Sequence, residues 1–369
     1  MATFAKRTFD AAAYSACRPS YPRALLDHVV AFLDRAPPST TTAAPPTLVD
    51  LGCGPGLSTF DWLSLPSSSS STSPRFERII GIDPSPGMVA AARSILADRQ
   101  PNPAADIRFE VARGDKLDGI VDDSSVDLVI AGQAAHWFDA PATYAELARV
   151  LKPGGAFACW GYGEFFFPSK PELSALIPRY SGGTLGPYWE QPGRSIVEDL
   201  LVPFPLPAAS PSSPIPSSTA SHFDPVALTR TFFLRPDAGE PHALPPLLEP
   251  LAAPLGPPFS SSSSSSSRTT TWLAPSPSSP STPTGLARLE VHRTSLLTRR
   301  WTVAQLEGYL RTWSAAHAYD EAHPGARGEG GVVSGFVREL EDAGLGDLGS
   351  EGTVEVAWDV GIVLGRKKS

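Results

Sequence analysis

The sequence predicts an α/β protein with a doubly wound, mostly parallel sheet of seven strands that finishes in an antiparallel carboxyl-terminal edge. Between Thr47 and Trp160, short apolar runs alternate with segments of helical periodicity, which is typical of a parallel sheet with helices on both faces. A glycine-rich turn follows the first apolar run, at the position where such folds bind their ligands. The predicted parallel strands are residues 47–51, 78–82, 107–111, 126–131 and 156–160.

Helices are predicted between these strands, and the clearest covers residues 86–99. Ser85 can cap its amino end, and Pro86 suits its first turn. The spacing of its apolar residues places them on one face. That face consists of Met88, Val89, Ala92, Ile95 and Leu96.

The carboxyl-terminal region predicts one more helix and a pair of strands. Thr302 and Gln305 have the spacing of a capping box, followed by Leu306, Leu310, Trp313 and His317 at helical intervals. Apolar residues then alternate over residues 354–364, which predicts a strand. Together with residues 289–298, this strand is expected to form the antiparallel edge.

Three segments rich in serine and proline interrupt these elements. Proline cannot donate to a sheet, and serine tracts bury little apolar surface, so disordered insertions are expected there. These segments are residues 66–74, 203–221 and 250–284. The predicted organisation is an amino-terminal helical segment that covers the site (1–46), a cofactor-binding core (47–165) and an acceptor-side, sheet-completing region (166–369).

Composition excludes several classes of function. The net charge of −8 comes with no basic block longer than residues 366–368, so nucleic acid is not an expected partner. The three cysteines show no paired metal spacing, and their odd number argues against a disulfide framework. No metal site is predicted. Because no segment approaches the ~20 apolar residues that span a bilayer, a cytoplasmic protein without membrane contact is expected.

The glycine-rich turn predicts a nucleotide-type cofactor. Gly52, Gly54 and Gly56 allow a tight turn whose backbone amides come close to a ligand. A dinucleotide fingerprint has its third glycine at the position of Leu57, so the spacing disfavours NAD. Asp50 adds a carboxylate that suits an amino group better than a pyrophosphate. S-adenosylmethionine is therefore the favoured cofactor, and an ordinary strand-to-helix turn is the alternative.

Further candidate ligands follow the next strands of the sheet. Asp83 can accept hydrogen bonds from both ribose hydroxyls of an adenosyl group, or it can cap the next helix. Asp115 is placed to accept a hydrogen bond from an adenine amino group, or it is a solvated loop residue. Gln133 follows the fourth strand at the same edge. Beside it, His136 offers a proton carrier and Trp137 a flat wall, although a structural histidine is equally expected there.

These motifs resemble those of class I S-adenosylmethionine-dependent methyltransferases. The resemblance is carried by residues 50–56, Asp83, residues 133–139 and the turn at residues 151–155. A closer resemblance, to the fungal trans-aconitate methyltransferases and their small-molecule relatives, is carried by residues 135–139, 160–162, 308–314, Tyr14 and residues 18–22. The insertions, and the long stretch between Arg235 and Leu286, depart from the compact pattern of that group.

The resemblance implies methyl transfer to an oxygen nucleophile of a small molecule. A carboxylate is already ionised at neutral pH, needs no general base, and requires cationic residues to hold it. Arg18, Arg194 and Arg311 are the candidates for this role, and each can instead form a surface ion pair. Trp137 and Tyr162 complete the expected acceptor side. A phenol or alcohol acceptor would instead need His136 as a base.

Two rival functions share the predicted fold. A nicotinamide-dependent oxidoreductase would have the same alternating sheet and ribose aspartate, but Leu57 speaks against it. A non-catalytic binding protein would keep the cofactor fold and use its serine- and proline-rich segments to recruit partners. The intact aspartates and glycines favour cofactor binding without proving turnover.

Overall fold

The computed structural model describes most of the chain, and the following account is restricted to that part. The described residues are 11–35, 45–66, 74–99, 105–208, 213–236, 244–263, 268–274, 285–325, 330–348 and 352–369.

Eleven strands of the described chain form one sheet, with the order β3-β2-β1-β4-β5-β11-β6-β9-β8-β7 and β10 paired to β11. The strands are β1 Thr47–Leu51, β2 Arg78–Asp83, β3 Asp106–Val111, β4 Val126–Gly132, β5 Leu151–Phe166, β6 Thr229–Leu234, β7 Ser260–Ser263, β8 Arg268–Leu273, β9 Arg288–Arg293, β10 Leu297–Trp301 and β11 Val354–Arg366. The doubly wound α/β fold predicted from the sequence is confirmed. The sheet is larger than the predicted seven strands.

The first five strands are parallel and lie where the apolar runs predict them. Residues of β1 are buried along its whole length, because the strand has neighbours on both sides and helices on both faces. Asp50 is in register with Gly81 of β2 and Ile130 of β4. The carboxyl ends of these strands therefore meet at one edge of the sheet.

The helices are α1 Ala11–Cys17, α2 Arg23–Leu33, α3 Leu57–Asp61, α4 Pro86–Asp98, α5 Ala140–Val150, α6 Pro171–Ser174, α7 Leu176–Pro178, α8 Gly193–Glu198, α9 Ser217–Ala220, α10 Glu249–Ala252, α11 Val303–Arg311, α12 Ser314–Ala322 and α13 Val332–Leu340. The cap predicted for α4 is present, because the Ser85 hydroxyl accepts a hydrogen bond from the Met88 amide. None of the helices in the described part of the chain combines the length and apolar character that crossing a bilayer requires.

The predicted carboxyl-terminal helix is present but is divided in two. The capping box of Thr302 and Gln305 begins α11, which ends at Arg311. Thr312 closes the helix, since its amide and its hydroxyl both donate to the Tyr309 carbonyl. Trp313 and His317, expected on the same helix, instead lie at the cap and inside α12.

The predicted antiparallel edge is in fact the middle of the sheet. β11 pairs antiparallel with β5 on one side and with β6 on the other, so that Ile362 lies between Trp160 and Thr231. Residues 289–298, expected to form its partner strand, are divided between β9 and β10. β5 also begins at Leu151, five residues before the predicted start. Local alternation identifies a strand but contains no information about its neighbours.

Parts of the predicted disordered insertions are folded. Helices α9 and α10 and strands β7 and β8 lie within residues 203–221 and 250–284. β8 is ordered by long-range pairing, with Thr270 opposite Val291 of β9, and by burial of Trp272. Residues 67–73, 209–212, 264–267 and 275–284 of these insertions lie outside the described residues.

Two glycine-to-alanine substitutions are expected to change stability in opposite directions. A methyl group at Gly361, in the centre of β11, would overlap the Leu200 carbonyl, whereas one at Gly335, inside α13, would meet nothing within 4 Å. Gly361→Ala should lower the free energy of unfolding by about 3 kcal/mol. Gly335→Ala should raise it by about 0.5–1 kcal/mol. Urea denaturation of the two variants measures both effects, and equal changes would contradict the packing described for β11.

Candidate active site

The glycine-rich turn follows β1 along the chain and is hydrogen-bonded to the end of β2. Gly52 has a φ of 70°, its amide donates to the Ile82 carbonyl at 2.7 Å, and a methyl group there would lie 2.5 Å from the Ala134 methyl. Gly54 has a φ of 55°, and its amide donates to the Asp83 carboxylate at 2.9 Å. Both positions therefore require glycine. Gly56 lies behind the turn as the amino cap of α3, packed on Phe60.

A cavity of about 330 Å³ lies beyond the carboxyl ends of β1 to β4. Of the predicted cofactor residues, Gly52, Gly54, Asp83, Asp115 and Gln133 line it, whereas Asp50 and Gly56 do not. The other lining residues are Tyr14, Pro84, Ser85, Met88, Arg113, Gly114, Ala134, Trp137, Phe138, Asp139 and Thr143. The sheet edge predicted for the cofactor is therefore the place where the cavity opens.

Asp83 holds its carboxylate at the floor of this cavity. One oxygen accepts from the Ser85 amide at 2.8 Å and the other from the Gly54 amide at 2.9 Å. Each oxygen keeps a further lone pair for a ligand hydroxyl. Burial raises the pKa of Asp83 above its ordinary value, against the effect of the two amides.

Asp115 lies on the cavity wall in an ion pair with Arg113. The two side chains form two hydrogen bonds of 2.9 and 2.7 Å, and these bonds hold the pKa of Asp115 below its ordinary value. The carboxylate is therefore ionised and fixed in direction, as an acceptor for a ligand amino group must be. Because Arg113 shares its charge, a hydrogen bond to Asp115 contributes less than one to an unpaired carboxylate.

Asp50 is fully buried and does not reach the cavity wall. One carboxylate oxygen accepts from the Thr59 hydroxyl at 2.7 Å, while the other has no hydrogen-bond partner in the described chain. Burial raises the pKa of Asp50 to about 7. The predicted contact with an amino group of the cofactor stays a prediction, and the sequence pattern alone did not indicate this depth of burial.

Gln133 lies between the larger cavity and a second, smaller one. Its backbone has a φ of 53°, its side-chain oxygen accepts from the Tyr162 amide at 2.8 Å, and its side-chain nitrogen donates to the Tyr162 carbonyl at 3.1 Å. Both ends of the amide are thus engaged with β5. The residue acts as a wall of the site, with its polar atoms already bonded to protein.

The smaller cavity, of about 70 Å³, shares Tyr14, Gln133 and Trp137 with the larger one. It contains four more of the predicted residues, namely Arg18, His136, Tyr162 and Arg194. The remaining lining residues are Gly163, Glu164, Trp189, Glu190, Val197, Tyr309, Trp313 and Ser314. The structure therefore brings the predicted acceptor side next to the predicted cofactor side.

Arg18 presents a partly buried guanidinium to the smaller cavity. It donates to the Tyr162 hydroxyl and to the Thr312 carbonyl, both at 3.2 Å, and it lies over the rings of Tyr14 and Tyr309. No carboxylate among the described residues lies within 4.0 Å of it, and its Nε has no hydrogen-bond partner there. Among the described residues, the groups that contact this cation are therefore neutral.

The other two predicted arginines differ from Arg18. Arg194 lines the cavity but is paired with Glu164 at 2.8 Å and Glu198 at 2.6 Å, and it stacks on Trp189. Arg311 lines neither cavity. It pairs with Glu307 at 2.6 Å on the surface of α11, which is the alternative that the sequence left open.

His136 faces the smaller cavity from the short turn after β4. Burial, together with the charges of Arg18 and Arg194, lowers its pKa to about 3. The imidazole is therefore neutral at pH 7. Its Nδ1 atom is buried without a hydrogen-bond partner in the described chain, so it remains available to a ligand.

Several cavity residues were not identified from the sequence. Glu164, Trp313 and Ser314 belong to segments that are far from the glycine-rich turn along the chain. Tyr14 was noticed only through the resemblance of the amino-terminal segment. Their common property is that the fold brings them to one cavity from segments that are distant along the chain, which no local spacing reveals.

Comparison with known proteins agrees with this geometry. Residues 49–159 match the family model of a methyltransferase domain. This segment is therefore similar to methyltransferase domains. Its cofactor is S-adenosylmethionine. The domain spans β1 to the middle of β5 and therefore includes the walls of the larger cavity from Gly52 to Thr143.

Curated relatives match a longer part of the chain than the domain model does. An inferred S-adenosylmethionine-dependent methyltransferase of Saccharomyces cerevisiae is 31% identical over 197 residues, which is 53% of this chain and 60% of that protein. An inferred methyltransferase of Dictyostelium discoideum is 25% identical over 154 residues, 42% of this chain and 51% of that protein. The chain thus spans only half to three-fifths of these relatives.

A solved structure supports the fold along nearly the whole chain. A protein of Anaeromyxobacter dehalogenans, proposed to be a type II methyltransferase, aligns with a TM-score of 0.53 over 95% of this chain and 97% of its own. Its sequence identity is 22%, so the likeness concerns the fold alone.

The residues of the larger cavity fit the cofactor of the methyltransferase domain. A side chain at Gly52 would collide with Ala134, so bare backbone faces the ligand. The Asp83 oxygens are free to accept from two hydroxyls, and Met88 and Phe138 offer apolar surface to a flat ring. These groups match the ribose and the adenine of an adenosyl ligand.

Replacing Asp50 by Asn is expected to stabilise the protein progressively as pH rises. The folded-state pKa of Asp50 is about 7, whereas an exposed aspartate has a pKa of about 3.9. The stability that this proton confers is complete below about pH 4 and is lost as pH rises towards 7, at about 1.4 kcal/mol per pH unit. The asparagine side chain does not titrate, so the variant does not lose stability in this way as pH rises.

Urea denaturation of both proteins between pH 5 and pH 8 measures the effect. The difference in the free energy of unfolding should grow by about 2 kcal/mol between pH 5 and pH 7 and level off near pH 8. A difference that does not change with pH would show that Asp50 titrates normally.

Proposed function

We propose that the chain is an S-adenosylmethionine-dependent methyltransferase that methylates a carboxylate oxygen of a small, trans-aconitate-like acid. The observation that carries this proposal is the Arg18 guanidinium, which lines the smaller cavity and contacts only neutral groups among the described residues. A partly buried charge without a counter-ion is costly, and a bidentate carboxylate is the group that complements a guanidinium best. The acceptor proposed here supplies that counter-ion.

In this proposal the larger cavity binds the cofactor and the adjoining smaller cavity binds the acceptor. In the larger one, Gly52, Gly54 and Asp83 would hold the adenosyl group, with Asp115 at the adenine end. In the smaller one, Arg18 would hold the acceptor, and Trp137 and Tyr162 would orient it. Tyr14 and Arg18 line these cavities from α1 and the turn after it, which supports a covering role for residues 1–46.

When bound, S-adenosylmethionine supplies a sulfonium methyl group that an acceptor carboxylate would take to form a methyl ester. The carboxyl group of the acceptor, with a pKa of about 4, is already ionised, so no residue has to remove a proton. Arg18 fixes its direction, and the surrounding aromatic rings exclude water. Alignment of this kind can contribute ~7–11 kcal/mol to lowering a barrier.

The protonation of His136 favours a carboxylate over a phenol. An imidazole whose pKa is about 3 is a weak base. A phenol has a pKa of about 10, so proton transfer to such an imidazole would be unfavourable by about seven pKa units. His136 is better suited to accepting a hydrogen bond from a protonated group of the acceptor.

The cysteines support a reducing compartment, and we propose a cytoplasmic location. Cys17, Cys53 and Cys159 are all free thiols in the structure. Disulfides are rare in the cytosol, where thiols stay reduced.

Transfer of a labelled methyl group tests the proposal. The full-length protein would be incubated with methyl-labelled S-adenosylmethionine and a panel of small di- and tricarboxylic acids, phenols, alcohols and a metabolite extract. We expect label in an acid, released by mild alkali as esters are. Label confined to protein or nucleic acid, or an alkali-stable product from a phenol, would overturn the carboxylate assignment.

Replacing Arg18 by Ala is expected to raise the KM for the acid by about 30-fold or more, because losing one partner of a desolvated charge pair costs 2–5 kcal/mol. Arg311→Ala is the matched control, since Arg311 pairs with Glu307 outside both cavities. Steady-state kinetics should show a change in KM below twofold for the control. Calorimetry should show unchanged affinity of both variants for S-adenosylhomocysteine. Equal KM effects of the two substitutions would contradict the role of Arg18.

His136→Gln separates the two kinds of acceptor. With a carboxylate acceptor, the rate of the variant should be independent of pH above about pH 6, because no base is required. A pH–rate profile of both proteins measures this. A large loss of rate that rising pH relieves would identify His136 as a base and favour a phenol or alcohol.

A further inference from the structure

A cluster of three metal-binding side chains lies outside both cavities. It consists of His28 on α2 and of Glu290 and His292 on β9, and one ligand atom of each lies within 4.8 Å of those of the others. β5, β11 and β6 separate β9 from β4, whose end forms the cofactor cavity. At about 4.8 Å per strand, the cluster is well removed from the cofactor.

His292 is held with one ring nitrogen directed at Glu290. Its Nδ1 lies 2.9 Å from the Thr269 hydroxyl, and its ring stacks on Phe233 with centroids 4.4 Å apart. Its Nε2 is buried, has no hydrogen-bond partner in the described chain, and lies 3.7 Å from the Glu290 carboxylate. When Nδ1 donates to Thr269, two acceptors face one another across this gap, and a cation between them would satisfy both.

Glu290 has one carboxylate oxygen available for such a cation. Arg288 binds Oε1 at 2.5 Å through its Nε, whereas Oε2 has only a long 3.4 Å contact with the Thr231 hydroxyl. The Arg288 guanidinium on Oε1 favours the charged form of the carboxylate. The carboxylate is therefore ionised, as a metal ligand must be.

His28 completes the cluster from the helix side. Its Nε2 lies 3.2 Å from the Thr231 hydroxyl, and its ring is edge-on to His292 with centroids 6.0 Å apart. In its neutral form this imidazole offers one ring nitrogen to a metal ion.

We propose that His28, Glu290 and His292 bind one divalent transition-metal ion of the zinc type. Two imidazole nitrogens and one carboxylate oxygen are typical zinc ligands, with a fourth position left for water. Magnesium and calcium prefer oxygen ligands only, so this donor set disfavours them. The ion would link α2 to β9, two elements that are far apart in the sequence.

The separations in the cluster need only small adjustments to enclose an ion. Ligands about 2.1 Å from a tetrahedral metal lie about 3.4 Å from one another. The Glu290 and His292 atoms, at 3.7 Å, already approach this value. The ligand atoms of all three residues lie within 4.8 Å of one another, so His28 has to approach the other two for an ion to be enclosed. Thr269 would keep His292 in the required tautomer, as outer partners of metal-bound histidines do.

Metal titration of the full-length protein tests the proposal independently of methyl transfer. After treatment with a chelator, the protein would be titrated with ZnCl₂ by calorimetry and with CoCl₂ by visible absorption. We expect one tight equivalent of zinc and the intense bands of tetrahedral cobalt. His28→Gln and His292→Gln should each abolish both signals. Thr269→Val should weaken zinc binding by about 10- to 100-fold.

His222→Gln is the matched control, because His222 is an exposed histidine outside the cluster. It should bind zinc like the wild type. Binding of S-adenosylhomocysteine by each variant verifies that the fold is retained, so that loss of zinc binding in the two histidine variants cannot be attributed to unfolding. Wild-type protein that binds no zinc, or zinc binding that survives in both His28→Gln and His292→Gln, would show an ordinary hydrogen-bonded ion-pair cluster and overturn the proposal.

Discussion

The pairing of the Gln133 side chain with the backbone of Tyr162 is the interaction on which the geometry of the site depends. Gln133 follows the last residue of β4 and has a positive φ. Its side chain forms hydrogen bonds with the backbone amide and the backbone carbonyl of Tyr162 in β5. Tyr162 is thereby fixed, and its hydroxyl receives a hydrogen bond from Arg18. One amide thus separates the two cavities and, through Tyr162, positions the cation of the acceptor side.

Charge distribution around the smaller cavity explains why its two arginines are not equivalent. Arg194 is neutralised by Glu164 and Glu198, so its role is to order the aromatic wall through Trp189. Arg18 has no such partner among the described residues, and its field helps to keep His136 neutral. Arg18 and a neutral imidazole in one small space support the anionic acceptor proposed above. His136, whose pKa is about 3, is a weak base for an acceptor that needs deprotonation.

The parallel half of the sheet and its cofactor edge were predictable, because the signals are local. Buried strands are continuous apolar runs, and Asp83 and Gln133 follow directly from where those runs end. The antiparallel half was not predictable in the same way. The place of β11 in the sheet depends on β6, a strand that no local pattern identified, and β8 lies within a segment whose composition indicates disorder.

Burial and long-range pairing explain why two of the predicted site residues, Asp50 and Arg311, line neither cavity. Asp50 has the right spacing for a ligand contact, but the Thr59 hydroxyl takes one oxygen and the strand backbone covers the residue. Arg18 and Arg311 looked alike in their motifs. Their roles differ because Arg311 ends an exposed helix beside Glu307, whereas Arg18 lies in a turn under the aromatic rings.

The amino-terminal segment forms hydrogen bonds both to the acceptor side of the site and to β11. Arg18 donates to the Thr312 carbonyl, and the Arg366 guanidinium of β11 donates to the Phe32 and Leu33 carbonyls at the end of α2. Both bonds join the first residues of the described chain to its last helices and strand. Contacts between such distant segments require the closure of long loops, which costs entropy. The acceptor side therefore depends on long-range contacts, whereas the cofactor edge is built from neighbouring parallel strands.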